Sequence, residues 1–358
     1  MRFLLLGEFS GFFLNLKKGL ERMGHQVVLY ADGDGFKNIP GADDRLYKPS
    51  KSFITKVFRL TIGPFFDKRL YQDYDAVLII NLGLFEPFVV RHILKKMRKH
   101  NKKLFLSSCG YDYALLKAFR SGKFEYYMFD ENLNSLPRYS HLRWRLYDHF
   151  ANEEKNIKRY INIVIPTAYD YTLGYNDSSI SKVIPLPLDC DSIDYSENSV
   201  SDKIIIFHGI NRELEKGTKY IREAMLRLKE RYPDLVEIVF EGNMPYKDYL
   251  QLLRKVNIVV DQCKGFFYGM NACIAMAMGK VVLCGINEES MNAIGTTKDE
   301  CPVVPIKRDA DVIFQRLESI VTNPTIIEEL GRKGRQYVEK YHDSIKVALQ
   351  YEKIFKEY

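Results

Sequence analysis

The 358-residue chain has one tryptophan, Trp144, and lacks most of the signatures that would place it at sight. None of its six cysteines (Cys109, Cys190, Cys263, Cys273, Cys284, Cys301) forms a Cys-x-x-Cys pair. Zinc-ribbon and thioredoxin-like classes fail on that spacing, and a reduced cytosolic compartment is the simplest account. No apolar run approaches the ~20 residues of a membrane-spanning helix. The opening MRFLLLGEFSGFF lacks a small-residue cleavage site, so it predicts a first strand and not a signal peptide. Neither a P-loop nor a Rossmann glycine fingerprint is present. Asp189-Cys190-Asp191 has the spacing of a metal-binding Asp pair but opens a polar stretch, so no metal site is predicted. With 22 Gly and 13 Pro, collagen-like and low-complexity classes are also excluded.

What is there is a globular composition, 46% apolar and 28% charged. At roughly 150 residues per domain the length suggests two domains. Lys and Arg total 53 against 46 Asp and Glu, a net charge of +7. That balance suits an anionic small molecule, a phospholipid surface or nucleic acid, and does not choose among them. No nucleic-acid motif accompanies it, so no nucleic-acid partner is predicted. The chain is rich in Tyr (24) and Phe (22), residues suited to sugar or membrane contact.

Short apolar runs alternate with helical spacing along the chain. Strands are predicted at 2–6, 26–31, 75–80, 104–107, 162–166 and 182–186, with helices at 12–23 and 87–99 between them. Residues 189–202 (DCDSIDYSENSVSD) carry no apolar period and read as a linker. The pattern restarts with strands at 203–207, 236–241, 257–261 and 281–284 and helices at 218–230, 247–254 and 271–278. The segment 325–358 is helical with a break at 340–343. Apolar strands separated by helices of this length predict parallel sheets built from βαβ units. The fold class is therefore α/β, two doubly wound Rossmann-like domains facing a central cleft. Their expected bounds are 1–190, joined by the helix at 341–358, and 191–340. Ligands in such sheets sit beyond the carboxyl ends of the strands.

After the KIIIF strand comes HGINRELEKG and then a helix. Gly209, Asn211, Arg212 and Lys216 in that setting make an anion site, because a helix N-terminus and two cations favour phosphate. The alternative is that both cations pair with Glu213 and Glu215. Further on, VEIVFEG leads to NIVVDQ and then to YGMNACIAMAMGKVV. This series, together with GHQVVLY near the start, resembles GT-B glycosyltransferases, and among them glycosyltransferase family 4. The resemblance spans nearly the whole chain and is strongest over 203–285. It implies a nucleotide-sugar donor held by the second domain, with Arg212 and Lys216 neutralising the diphosphate. It also implies retention of configuration, and neither metal nor cofactor is expected. Glu241, Tyr268, Gly269, Met270 and Asn271 would complete the donor site, with Gly11 approaching the diphosphate from the first domain.

Two departures from the family pattern stand out. Aligning Ala275–Lys280 to the family's E-A-M-A-x-G-K segment puts Phe266 and Ile274 where two glutamates are usual. The second normally binds the ribose; Glu288 or Glu289 in the next loop is the candidate substitute. In the acceptor half, Cys109 takes the place of a histidine in a His-Gly-x-Asp-like segment, followed by Gly110 and Asp112. A thiol is a poor general base, which leaves Asp112 as the ionisable group there, with a helix cap as its alternative role. Glu8 and Ser10 follow the first strand and are expected on the acceptor side.

The expected activity is transfer of a sugar to a glycan or polyprenyl-diphosphate-linked acceptor of surface polysaccharide synthesis. The alternatives are a catalytically silent partner that keeps the fold and, last, a nucleotide-sugar epimerase. Residues 91–103 (RHILKKMRKHNKK) and the basic, aromatic stretch 137–160 read as ordinary surface helices or as docking sites for an anionic membrane. A cytoplasmic enzyme, at most peripheral on the inner face of the plasma membrane, is expected.

Overall fold

The structure is a computed structural model, and it describes residues 1–46, 58, 61–110, 113–124, 157, 159–175 and 177–358. The chain divides into two compact units. Among the described residues, one comprises those within 1–124, 157–187 and Ser344–Tyr358; the other comprises Leu188–Asp343.

In the first unit the strands are β1 (Arg2–Leu6), β2 (Gln26–Tyr30), β3 (Ala76–Ile79), β4 (Leu104–Ser108) and β5 (Ile163–Pro166). They interleave with α1 (Phe12–Arg22), the single turn α2 (Gly63–Phe66), α3 (Pro87–His100) and α4 (Tyr113–Arg120). All pairings are parallel, in the order β2-β1-β3-β4-β5. Strands such as AVLI in β3 are apolar throughout because helices bury both faces. Two apolar cores flank the sheet, one around Phe3, Phe13 and Leu16, the other around Leu4, Val77 and Leu94.

The second unit repeats the plan. Its strands are β6 (Ile204–Gly209), β7 (Val236–Glu241), β8 (Ile258–Val260), β9 (Val281–Cys284) and β10 (Val304–Pro305). Between and after them come α5 (Glu213–Lys216), α6 (Thr218–Arg231), α7 (Tyr246–Lys255), α8 (Met270–Ala277), α9 (Glu288–Ala293), α10 (Ala310–Val321) and α11 (Thr325–Tyr341). The order β10-β9-β8-β6-β7 is the first sheet's order again, once the strands are counted from β6. In each sheet the chain direction of strand addition reverses beside the first strand, between β1 and β3 and between β6 and β8. Ligand crevices form at such switch points.

The last helix, α12 (Ser344–Glu357), belongs to the first unit. It lies on α1 so closely that a Cβ on Gly19 would fall 2.1 Å from the Ser344 carbonyl oxygen. Tyr351 and Phe355 complete the core around Phe3 and Phe12. Both units are therefore doubly wound parallel α/β folds, as the alternating pattern predicts.

Two local expectations differ. Residues 182–186 form no strand: Ile184 N–H donates to the Pro166 carbonyl, but Pro185 and Pro187 offer no N–H to extend the ladder. The segment 189–202 is polar yet tied down. Asn198 is buried and donates to the Asn257 carbonyl at 2.9 Å, and Arg335 donates to the carbonyls of Cys190 and Ile193.

Candidate functional site

The switch point of the second unit holds a pocket with about 320 Å³ of free space, part of it open to solvent. The end of β6 brings Phe207 and Gly209, the end of β8 brings Val260, and Asp261 follows directly. Lys216 ends α5, and Tyr249 on α7 closes the far wall.

Lys216 is buried, and its Nζ lies 3.0 Å from Asp261 Oδ1. Backbone bonds set its position: its N–H donates to the Arg212 carbonyl and its own carbonyl accepts from Cys263, each at 3.0 Å. Gly217 ends the turn at φ +72°, and a Cβ there would meet Cys263 Sγ at 2.4 Å. Glycine satisfies both demands at once. The Lys216 Nζ also stands 3.8 Å from where a Cβ on Gly209 would be, so a bare strand end opens onto the ammonium. Gly242 permits a second close approach, since a Cβ on it would lie 2.0 Å from the Ile210 carbonyl oxygen.

Beneath Lys216, His208 is fully buried. Its Nδ1 lies 2.7 Å from the Val260 carbonyl and its Nε2 lies 2.8 Å from Thr218 Oγ1. A carbonyl only accepts, so Nδ1 carries the proton and the Thr218 hydroxyl donates to Nε2. Burial, reinforced by the Lys216 charge, pushes the imidazole down to about 4. The ring is therefore a neutral strut between two strands and α6.

The predicted donor residues divide. Gly209, Asn211, Lys216, Glu241 and Asn271 line this one pocket. Asn211 Oδ1 accepts from the Asn243 N–H at 2.7 Å, and the Glu241 carbonyl accepts from the Ile210 N–H at 2.7 Å. Gly269 and Met270 begin α8 beside Asn271. Arg212 precedes α5 with its side chain exposed and makes no ion pair among the described residues. Lys216 pairs with Asp261, so the pairing with Glu213 and Glu215 is not what the structure shows. Tyr268 points away from the pocket: its hydroxyl donates to Tyr337 at 2.8 Å and lies 2.8 Å from His342 Nε2, buried among aromatic rings. Glu288 and Glu289 are exposed in the first turn of α9, which Asn287 caps. At the two positions without glutamate, Ile274 is buried within α8 and Phe266 is half-buried.

Of the residues predicted for the first unit, the described ones follow β1 and β4 of its sheet. Glu8 follows β1 and folds back onto the start of α1, where its Oε2 accepts from the Leu14 N–H at 2.8 Å. Burial, with the nearby Asp34 charge, pushes its carboxyl up to about 7 despite the backbone donors. Ser10 sits at φ +57°; its N–H donates to Asp34 Oδ2 at 2.9 Å, and Lys37 Nζ bonds its hydroxyl at 2.6 Å. Gly11, at φ +88°, is the N-cap of α1. Cys109 is buried with its thiol donating to the Ile80 carbonyl, and Gly110 N–H donates to the Tyr171 hydroxyl at 2.7 Å. Asp112 and most of 137–160 lie outside the described residues.

Asp261 and His208 were not singled out from the sequence. Each ends an otherwise apolar strand segment, NIVVD and KIIIFH, and a lone polar group at the carboxyl end of a buried strand was the available signal. Among the described residues no three His, Cys, Asp or Glu side chains gather into a group that could hold a metal ion.

No family model matches the chain, and no curated protein matches it by sequence. Solved structures do match. Sucrose-phosphate synthase of Thermosynechococcus elongatus superposes with a TM-score of 0.64 at 14% identity, covering 100% of this chain and 99% of that one. HepE of Anabaena, in complex with UDP and glucose, gives 0.62 at 12% identity over the full length of both chains. A glycosyltransferase from Rickettsia africae gives 0.55 at 13%, covering 99% and 98%. The fold is GT-B. At such identities the likeness is one of fold.

Proposed function

We propose that this GT-B chain is a glycosyltransferase that takes a sugar from a nucleotide-sugar donor. One observation carries the reading: a single pocket at a topological switch point joins a cation, Lys216, to an apolar wall of Phe207, Met244 and Tyr249. A diphosphate suits the first and a nucleobase the second. The Anabaena structures of the same fold contain UDP, and one of them UDP-glucose, which supports a donor of that class.

Transfer leaves a nucleoside diphosphate, and the negative charge that develops on it must be met. In this proposal Lys216, aimed by Asp261, meets that charge inside the pocket and the exposed Arg212 closes on it from the rim. The N–H groups at the start of α8 add dipole. The reaction then needs no metal, and the donor phosphate takes the acceptor proton with retention of configuration. Glu241 takes the ribose or base contact that Ile274 cannot make. The acceptor is a glycan or a polyprenyl-diphosphate-linked sugar in cytoplasmic assembly of a surface polysaccharide.

Calorimetric titration with nucleoside diphosphates and nucleotide sugars tests this, with Lys216→Ala as control. Binding that the substitution weakens about ten- to a hundredfold supports the reading; no binding of any nucleotide defeats it. The absent glutamates at 266 and 274 favour a second reading, a nucleotide-binding partner without turnover. Tight donor binding with no release of nucleoside diphosphate, over a panel of acceptors, would establish that one.

A further inference from the structure

Four large apolar side chains of the first unit are turned to solvent: Phe58 (50% exposed), Ile62 (47%), Phe66 (76%) and Phe88 (52%). Phe58, Ile62 and Phe66 are spaced by four residues, and the Ile62 N–H donates to the Phe58 carbonyl at 2.9 Å. All three are exposed, while Thr61 and Pro64 are buried. Phe88 lies in the first turn of α3.

The turn α2 and helix α3 are neighbours. Lys96 of α3 donates to the Phe65 carbonyl and lies over the Tyr71 ring, while the Tyr71 hydroxyl donates to the Pro64 carbonyl. Continuing from Phe88, the exposed face of α3 carries Arg91, His92, Lys95, Arg98 and Lys99. No ion pair is formed by those Lys and Arg side chains among the described residues. The acidic groups nearby are Asp67, already held by Arg69 at 2.7 Å, and Glu86 ahead of the helix. Ile93, Leu94 and Met97, the apolar residues of the basic stretch, are wholly buried against the sheet. They are core and offer nothing to a lipid surface. The apolar part of this face comes instead from a different segment.

Exposed aromatic and aliphatic groups are costly in water, and beside cations that no described carboxylate pairs with they are complementary to the headgroup layer of an anionic bilayer. Rings enter the acyl boundary while Lys and Arg stems reach the phosphates. The geometry points to this face, Phe58, Ile62, Phe66 and Phe88 with Arg91, Lys95 and Lys99, as a docking surface for an anionic phospholipid membrane. It lies in the unit without the nucleotide pocket, so it stands or falls separately from the donor reading.

Co-sedimentation of the full chain with phosphatidylcholine vesicles, with and without phosphatidylglycerol, tests it. Binding is expected only with phosphatidylglycerol and is lost at high salt. Phe66→Ser and Phe88→Ser should each weaken it about tenfold. Arg91→Gln, Lys95→Gln and Lys99→Gln should each weaken it about fivefold. A circular dichroism spectrum and thermal unfolding midpoint of each variant, unchanged from the parent, show that the chain is folded. Absence of binding to phosphatidylglycerol vesicles overturns the proposal, and so does binding indifferent to the phenylalanines. Self-association of the chain in solution that Phe66→Ser abolishes also overturns it, since a second copy would then cover the face.

Discussion

Lys216 and Asp261, separated by 45 residues in sequence, form a buried ion pair with their charged atoms 3.0 Å apart. The contact exists because the topology sets β8 directly beside β6, which places the residue after one strand against the turn after the other. The pair aims the ammonium and leaves its other protons for a ligand.

Lys216→Ala should lower nucleoside diphosphate affinity by about ten- to a hundredfold, the worth of one charge-assisted hydrogen bond. It also strands a buried carboxylate, so unfolding free energy should fall by about 3–5 kcal/mol. Asp261→Asn should restore much of that stability in the Lys216→Ala background while leaving affinity low. Calorimetry and urea unfolding of the double variant separate the two effects, and recovery of affinity along with stability would remove Lys216 from binding.

Glu8 gives the first unit a pH dependence of definite sign. Its carboxyl is pushed up to about 7 in the folded chain, against an unperturbed 4.5. The folded state therefore holds a proton that the unfolded chain releases. Stability from this group is full below pH 4.5 and is lost as pH rises through 7, about 3 kcal/mol in all. Glu8→Gln keeps an acceptor for the Leu14 N–H and should flatten that dependence. Urea midpoints measured from pH 5 to 8 check it; an identical slope in the variant would sink the assignment.

His208 acts in the opposite direction. Its folded value of about 4 lies below the unperturbed 6.5, so the unfolded chain takes up a proton that the buried ring refuses. Stability of the second unit is lost as pH falls from 6.5 toward 4, again by about 3 kcal/mol. His208→Gln should remove that acid sensitivity. Because the two groups oppose each other between pH 4.5 and 6.5, the parent chain shows a shallow profile and each variant reveals the other residue's slope.

Chelation tests the proposed chemistry from another side. With Lys216 and Arg212 meeting the leaving-group charge, sugar transfer should proceed at an unchanged rate after exhaustive treatment with EDTA. A rate lost to the chelator and recovered with Mg²⁺ or Mn²⁺ would replace that mechanism with a metal-assisted one.

Strands were legible where burial left an unbroken apolar run, as in β1 and β9, and also in the half-exposed edge strand β7, where Val236, Ile238 and Phe240 alternate with other residues; the bounds of all three match residue for residue. Residues 182–186 misled because an apolar run shows burial and not hydrogen bonding, and two prolines removed the donors. Gly209, Asn211 and Lys216 were legible as a loop after a strand. Their partners were not: Asp261 meets Lys216 only through strand order, and Tyr268 meets His342 across 74 residues. Glu8 could be placed beyond β1, but its burial depends on Asp34 and the start of α1 closing around it. Sequence spacing carries periodicity along the chain and carries contacts across it poorly.

Packing of α12 on α1 leaves no room at Gly19, and Gly19→Ala should cost about 1–3 kcal/mol through overpacking, read by thermal unfolding. The same packing orders events during synthesis. The helix that closes the first core emerges from the ribosome only after all of the second unit has been made. The half begun first is thus finished last, and until then Phe3, Phe12 and Leu16 wait with one side bare. A chain ending at residue 343 should carry the Lys216 pocket already built and a first half still open to proteases and chaperones.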